Sequence, residues 1–485
     1  MMKNKTFLLI FLLLMHYSCK DEYAPLSLHP DNQHYFLFRG KPEVLIGSTE
    51  HYGAVMNLDF DYVRYLDEIS ARGLNITRTF SGIYVEPQGA FGIARNTLAP
   101  GPGKFICPWA RSNEPEYAGG GNKFDLTKWD PEYFARLKDF IAEAGKRNIV
   151  VELDLFSNFY DTIQWKLSPL YYSNNTNGFK PVEDQREVLS LRHPRLLKIQ
   201  EDMVKKLLEE CNSFDNLYYE VCNEPYFGDK EALDAWEKHM TGIIDGIEKG
   251  LPRKHLISQN IENFSMKVEN PHPAVSIFNF HYAQPPVTVE MNYGLNKPIG
   301  DNETGFRGIE DAHYRTEGWD FMTAGGALYN NLDYSFTADN EDGSFAVAPG
   351  QPGGGGEKLR SQLSIIKRVF GEIDFIKMKP VNYTLQPVLP ERATVRILAE
   401  EGNQYLVYIN NWHPQKEKPP LTKDLKSADF NVPVELQSGN YSCEWIDPVT
   451  GLRTGFVVNG HQRGEHSFKP PSLNEDLVLL IRKQL

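Results

Sequence analysis

Leu217-Tyr218-Tyr219-Glu220-Val221-Cys222 reads as a short strand, and the residues that follow it, Asn223-Glu224-Pro225, end it in a proline turn. A run of helical period, Pro194 to Cys211, precedes the strand, and a second, Lys230 to Lys249, follows it. Together they make one βα unit. The same alternation extends in both directions, with strands expected at Val44 to Ser48, Ile76 to Phe80, Ile149 to Leu155, Leu256 to Asn260, Val275 to Phe280, Pro298 to Asn302 and Ala327 to Tyr334. Helices are expected at Asp59 to Arg72, Pro131 to Lys146 and Glu357 to Phe370, with the weakest helical signal between the fifth and seventh strands. Eight such units predict an α/β fold, a (β/α)8 TIM barrel, whose functional residues gather at the strand C-terminal ends.

The chain of 485 residues is long enough for one such barrel plus a small domain. After Pro380 the pattern changes to short strands with turn signals, Ala393 to Leu398, Gln404 to Asn410, Asn440 to Ile446 and Asp476 to Ile481, which predicts a small all-β sandwich. His29 to Lys41 reads as a hairpin closing the bottom of the barrel. The division expected is a signal peptide over residues 1–18, a linker over 19–28, the barrel over 29–378 and the sandwich over 379–485. A net charge of -13 excludes a phosphate-binding surface and argues against nucleic acid. Cys107, Cys211, Cys222 and Cys443 show neither zinc-site nor disulfide-framework spacing. No metal site and no organic cofactor are expected.

Three connections are unusually long for a compact domain: Gly82 to Lys128, Ser157 to Arg192 and Thr337 to Gly356. They carry Trp109, Trp165, Tyr171, Tyr172, Asn174, Asn175 and Asn177, residue types that stack on and hydrogen-bond to sugars, or that pack a loop onto a barrel. Such loops could wall in a pocket, which favours action on chain ends or short oligosaccharides. The Gly353 to Gly356 run lacks a phosphate-loop ending and reads as a flexible loop.

Cleaving a glycosidic bond needs one carboxylic acid to protonate the leaving oxygen and one carboxylate to attack or to activate water. Glu224 ends the fourth strand and Glu303, in Gly300-Asp301-Asn302-Glu303, ends the seventh. Asn223-Glu224-Pro225 resembles the Asn-Glu-Pro signature of clan A glycoside hydrolases, which include the family 5 cellulases and mannanases. That resemblance spans roughly Leu37 to Phe370. It implies that Glu224 is the acid/base, Glu303 the nucleophile and Asn223 a ligand of the sugar 2-hydroxyl. It also implies that Arg78, in Asn75-Ile76-Thr77-Arg78, keeps the nucleophile ionised, and that His281-Tyr282 sits beside the nucleophile, with Tyr282 able to donate to Glu303. Glu50 and His51 after the first strand, with Trp109 and Trp165, complete the candidate sugar-binding set. Glu152, Asp154 and Glu220 lie within their strands and read as barrel-interior hydrogen-bonding groups. Phe156 stands where family 5 usually has a His, and Asp333-Tyr334 where it usually has a Trp. The closing module, with Trp445-Ile446-Asp447-Pro448 and Leu477 to Ile481, resembles the sandwich of bacterial apiosidase-like hydrolases.

At the N-terminus, Lys3 and Lys5 precede an apolar run, Phe7 to Met15, that is too short to span a bilayer and is placed like a signal peptide. Tyr17-Ser18-Cys19 resembles a bacterial lipobox, and Lys20-Asp21-Glu22 resembles the surface-export signal of Bacteroidota lipoproteins. The expectation is an outer-membrane lipoprotein at the cell surface or in the periplasm, with membrane contact only through a lipid on Cys19. Ordinary signal cleavage and a solvated linker are the alternatives. The functional expectation is a retaining β-glycoside hydrolase acting on oligo- or polysaccharide. Its competitors are an inverting hydrolase and a catalytically inactive barrel that binds glycan at the cell surface.

Overall fold

The computed structural model describes residues 23–381, 394–410, 425–426, 431–473 and 475–484. The expected signal peptide and Cys19 lie outside the described residues. Eight parallel strands form the barrel sheet: β1 Leu45–Thr49, β2 Ile76–Phe80, β3 Val150–Asp154, β4 Leu217–Glu220, β5 Ile257–Asn263, β6 Ile277–His281, β7 Ile299–Glu303 and β8 Leu328–Leu332. Neighbours pair in chain order from β2 to β8, and β8 pairs with β1 from Leu328–Leu45 to Leu332–Thr49. The remaining seam, between β1 and β2, is closed by Asn75. Its backbone N–H donates to Ile46 O (3.1 Å), while its side chain accepts from Ile46 N (2.9 Å) and donates to Val44 O (2.9 Å). One amide side chain thus stands in for a strand ladder and satisfies backbone groups that burial would otherwise orphan.

The surrounding helices are α1 Tyr62–Ala71, α2 Pro131–Lys146, α3 Pro194–Cys211, α4 Lys230–Gly250, α5 Val287–Asn292, α6 Asp311–Thr323 and α7 Glu357–Phe370. Their starts follow from capping chemistry. Asp61 accepts from the N–H groups of Val63 and Arg64, and Asp130 from those of Glu132 and Tyr133, with Pro131 in the first turn of α2. The apolar stripe of α2, Tyr133, Phe134, Leu137, Phe140, Ile141 and Ala144, is buried against the barrel. The fifth connection, residues 264–276, contains no helix, so one of the eight expected units is a strand and a loop only.

At the N-terminal end of the barrel, strands Ser27–Leu28, Phe36–Phe38 and Lys41–Glu43 form a small antiparallel sheet. Its tight turn places Arg39 (φ 50°) and Gly40 (φ 77°) in the left-handed region that two-residue hairpin loops require. Arg39 then reaches Asp215 (2.6 Å), just before β4. Leu26 is buried and its N–H donates to Asp215 O (2.8 Å), so this end of the expected linker is part of the fold.

The C-terminal module is antiparallel. Its main sheet orders Lys379–Pro380, Thr394–Glu400, Gln404–Asn410, Asp476–Lys483, Gly439–Ile446 and Arg453–His461, and a separate pair joins Val432–Leu436 to Gly464–Phe468. Alternation along the strands divides the apolar residues between two cores. Tyr405, Val407, Ile409, Leu477, Leu479 and Ile481 fill the module's own interior, whereas Leu406, Tyr408, Val478 and Leu480 join the core of the barrel. That is why Leu477 to Ile481 is apolar at every position. The surface they pack on is α6, where Trp319 stacks on Tyr408 (5.8 Å) and Arg315 pairs with Asp476 (2.9 Å).

Candidate active site

The strand ends deliver two buried glutamates to the floor of one cavity of about 460 Å3. This volume is in the range of small-molecule sites, about 300–1,000 Å3. Glu303 is the last residue of β7, and Glu224 stands four residues beyond β4 in a backbone turn with φ 51°. One carboxylate oxygen of each, and Nδ1 of His281 at the end of β6, lie within 4.8 Å of one another. Tyr52 (φ 58°) and Tyr282 (φ 54°) share the left-handed conformation of Glu224. Each such residue costs about 1–3 kcal/mol of backbone strain, a cost sustained only where the surroundings fix the conformation. Here the turns aim three side chains at the same point.

Glu303 is held by charge and by two phenols. Arg78 Nη1 lies 3.1 Å from Oε2, Tyr52 Oη donates to Oε2 (3.0 Å) and Tyr282 Oη donates to Oε1 (2.8 Å). Glu224 accepts from Tyr160 Oη (2.6 Å) and Tyr226 Oη (3.1 Å) and meets His281 Nδ1 at 2.9 Å. Burial pushes the Glu224 carboxyl up, but the hydrogen bond and charge of His281, with the two phenols, outweigh it and hold the group below the usual carboxylate range. Burial opposes charge on His281, but Glu303 and Glu224 outweigh it and push the imidazole up. Both shifts favour the charged form of each partner in the His281–Glu224 pair.

Beneath the cavity, Arg78 is fully enclosed. Its guanidinium pairs with Glu152 (2.9 Å), Asp154 (2.6 Å) and Glu220 (2.6 Å) as well as Glu303, and donates to Asn223 Oδ1 (2.8 Å). Asn302 Nδ2 bridges Glu152 Oε1 (2.6 Å) and Glu220 Oε2 (3.1 Å). Burial and the neighbouring Glu220 charge push Glu152 up, so the cage does not carry three full negative charges against one cation. The fold thus assembles two sets of groups with metal-ligand proximity that linear spacing does not show: Glu224, His281 and Glu303, and Glu152, Asp154 and Glu220. In the lower set the guanidinium occupies the place of a cation. In the upper set both carboxylates are already held by phenols, and the Arg78 charge stands 3.1 Å from Glu303, a poor neighbour for a dication.

The expected site residues separate into two groups. Glu224, Glu303, Asn223, His51 and Tyr282 line the cavity, and Arg78 and His281 touch the glutamates from below. The others do not reach it. Glu50 turns away to accept from the N–H groups of Gly53 (2.9 Å) and Ala54 (3.1 Å) and from Thr97 Oγ1, fixing the loop that carries His51 and Tyr52. Trp109 is buried and stacks on Trp129 (6.1 Å), and Trp165 is buried with Nε1 donating to Val182 O (2.8 Å). Asn174 and Asn175 likewise donate to carbonyls within their own loop. Both tryptophans pack loops onto the barrel because their apolar area finds enclosed neighbours there. The Gly353 to Gly356 run is a close-packed crossing: a Cβ on Gly353 would fall 1.8 Å from Gly305 O, and one on Gly355 1.9 Å from Asp333 Oδ1. Phe156 packs on Trp236 (5.0 Å) and Asp333 pairs with Arg360 (2.7 Å), both away from the cavity, whereas the Tyr334 ring backs His51 (6.3 Å) and Phe306 (6.1 Å) of its wall.

Residues absent from the sequence expectation also build the site. Glu86, buried in the cavity wall, accepts from Tyr84 Oη (2.9 Å) and from Asn96 Nδ2, and lies 3.7 Å from His51 Nε2. Burial pushes its carboxyl up to about 7 and the His51 imidazole down to about 4. Tyr52, Tyr226 and Asn263 sit at or just past strand ends, a position that could have flagged them. Glu86 and Tyr160 lie inside long loops where no periodicity applies.

Residues 105–299 match the family model described as Cellulase (glycosyl hydrolase family 5). No curated protein matches the chain. Among solved structures, a glycoside hydrolase is similar over 95% of this chain and 97% of its own, with TM-score 0.64 and 12% identity. A glycoside hydrolase family 5 structure from Bacteroides vulgatus ATCC 8482 is similar over 95% of both chains, with TM-score 0.62 and 13% identity. Both likenesses extend through the sandwich as well as the barrel. Residues 105–299 are therefore similar to a family 5 cellulase domain, and the chain shares with these glycoside hydrolase structures a fold made of a (β/α)8 barrel followed by an antiparallel β-sandwich.

Proposed function

We propose that the protein is a retaining β-glycoside hydrolase of oligo- or polysaccharides, with Glu303 as nucleophile and Glu224 as acid/base. The observation that carries this reading is the approach of one oxygen of each carboxylate to within 4.8 Å of the other. Nearest oxygens this close fit the retaining arrangement, whose carboxyl groups stand about 5–5.5 Å apart, better than the inverting one, whose groups stand about 6.5–9.5 Å apart to admit a water molecule. The unequal surroundings supply the division of labour. Glu303 faces the Arg78 guanidinium and two phenols, while Glu224 faces the His281 imidazole, with which it can exchange a proton.

In the first step a Glu303 oxygen bonds to the anomeric carbon as the bond to the leaving oxygen breaks, and Glu224 gives that oxygen a proton. A sugar filling the cavity excludes water and disfavours the charged His281–Glu224 pair, which moves the shared proton onto the carboxyl where it is needed. In the second step water gives a proton to Glu224 and its oxygen replaces the ester to Glu303. Two inversions leave the anomeric configuration unchanged. Asn223, fixed by Arg78 and Tyr160, is placed to hold the 2-hydroxyl.

Azide tests the roles. With a good leaving group, Glu224→Ala should be rescued by azide and yield the β-glycosyl azide, because the anion attacks the glycosyl ester from the face water uses. Glu303→Ala should yield the α-azide by direct attack from the opposite face. The anomeric proton coupling distinguishes them; exchanged products would exchange the roles, and no rescue in either folded variant would count against retention.

We also propose that the chain is anchored outside the inner membrane by a lipid on Cys19, a reading that rests on Lys3, Lys5, the Phe7 to Met15 run and Tyr17-Ser18-Cys19. Among the described residues no helix is long and apolar enough to cross a membrane. Cys19→Ala should move the protein from the membrane to the soluble fraction with unchanged specific activity. Its retention in membranes would remove the claim.

A further inference from the structure

The wall of the cavity is a ring of aromatic side chains, closed at one point by an asparagine. Tyr160, which holds Glu224, meets Phe91 on one side (5.5 Å between ring centroids) and Phe227 on the other (5.4 Å). Phe91 meets Phe306 (6.3 Å), Phe306 meets Tyr282 (6.2 Å), and Tyr282 meets Phe264 (6.4 Å). On the other side, Phe227 meets Tyr226 (5.1 Å), whose hydroxyl proton is divided between Glu224 (3.1 Å) and the Asn263 side-chain oxygen (2.6 Å), and Asn263 is the residue before Phe264. The tyrosines stand low, bonded to the two glutamates. The four phenylalanines form the mouth, between 39% and 57% exposed.

Phe91 is the member that bridges the barrel opening, and it does not hang free. It sits in a tight turn between Gly89 and Gly92, all three at positive φ. Two residues later the loop is tied to the connection after β8: Ala94 N–H donates to Gln351 Oε1 (2.9 Å), and the Arg95 guanidinium lies over the Phe345 ring (5.4 Å). Leaving-group oxygen must face Glu224, so the sugar being transferred fills the Glu303 side of the cavity, where Tyr52 and Tyr282 hold Glu303 and His51 stands beside Tyr52. A groove that accepts the middle of a chain needs two open ends, and a closed collar has one.

Resting on the glycosidase reading above, we propose that the site takes a single terminal sugar residue, and that the aromatic collar sets this limit. The protein then trims glycans from the non-reducing end, and the exposed phenylalanine faces receive the apolar face of whatever carries that residue.

The test uses the full chain on β-linked manno-, gluco-, galacto- and xylo-oligosaccharides labelled at the reducing end, together with the parent polysaccharides. The expected first products are a free monosaccharide and a labelled chain shortened by one residue, with no early fall in polysaccharide viscosity. Early release of disaccharide or longer fragments from the non-reducing end, or a rapid fall in viscosity, would overturn the inference while leaving a hydrolase. No hydrolysis of any member, nor of aryl β-glycosides, would overturn the hydrolase reading and this inference with it. Phe91→Ala, an exposed position, opens the collar between Tyr160 and Phe306 and should add disaccharide to the early products at a tenth or more of the monosaccharide. Gln351→Ala combined with Arg95→Ala unties the loop and should shift products the same way by a smaller factor. Unchanged monosaccharide-only release in both folded variants would show that the collar is not what limits the site.

Discussion

Two carboxylate clusters lie one above the other in this barrel and do different work. In the lower one, Glu152, Asp154 and Glu220 surround Arg78, and every oxygen not paired with the guanidinium is met by Tyr218, Asn279, Asn302 or Ser258. In the upper one, Glu224 and Glu303 are held from below and the sides, but their remaining face opens into the cavity. Residue type is the same in both. What differs is access: the lower set surrounds the Arg78 guanidinium, and the upper set faces the cavity. Arg78 and Asn223 connect the layers, so the cage determines where the guanidinium meets Glu303.

The largest effect separates the layers by activity. Glu224→Gln and Glu303→Gln should each cut turnover on an unactivated glycoside by several orders of magnitude, since each removes an essential proton donor or nucleophile. Their melting temperatures should stay within a few degrees of the parent, because a neutral amide in an open cavity leaves no stranded charge. Near-normal turnover in either variant would remove that residue from its role.

The lower layer should respond in the opposite sense. Arg78→Met leaves three enclosed acidic groups without their cation, and stranding one partner of a buried pair costs about 3–5 kcal/mol. We expect a steep loss of thermal stability, measured by calorimetry, with activity lost too. Arg78→Lys should recover part of the stability but less of the activity, because one ammonium cannot reach four carboxylates and Asn223 together. A stable, active Arg78→Met variant would show that the cage is not a foundation for the site.

How much of this is legible in the sequence depends on geometry that a linear pattern can carry. Strand ends can be read, so Glu224, Glu303, Arg78, His281 and Tyr282 are placed within a residue or two of where they stand. Which face of a loop a side chain takes cannot be read, and Trp109 and Trp165, chosen by residue type, are packing groups. Glu86 and the phenylalanines of the mouth come from loops brought together only by the closed barrel. Helix α6 escapes notice for a different reason: with the barrel on one side and the sandwich on the other, it is buried nearly all round and shows no apolar stripe. Its Arg315 and Asp320 are paired with Asp476 and Arg396 of the sandwich.

A third kind of buried carboxyl, paired with no arginine and outside the active-site cavity, gives the smallest and cleanest measurement. Glu237 on α4 accepts from Gln259 Nε2 (2.7 Å), while its Oε1 is enclosed without a partner. Burial pushes its pKa up to about 8. The folded protein therefore keeps this proton to about pH 8, whereas the unfolded chain releases it near the ordinary value for glutamate, about 4.3. Between those values the unfolded state binds fewer protons than the folded one, so stability falls as pH rises. The stabilisation from this group is fully present below the unfolded pKa and is lost as pH climbs through the folded one. Glu237→Gln is neutral throughout and has no such dependence. Melting curves at pH 5 and pH 8 should therefore show the parent losing a few degrees more than the variant across that interval, with turnover unaffected because Glu237 lies outside the cavity. Parallel losses in the two proteins would mean that Glu237 is ionised in the folded state, and that an enclosed carboxyl here needs no cation to remain charged.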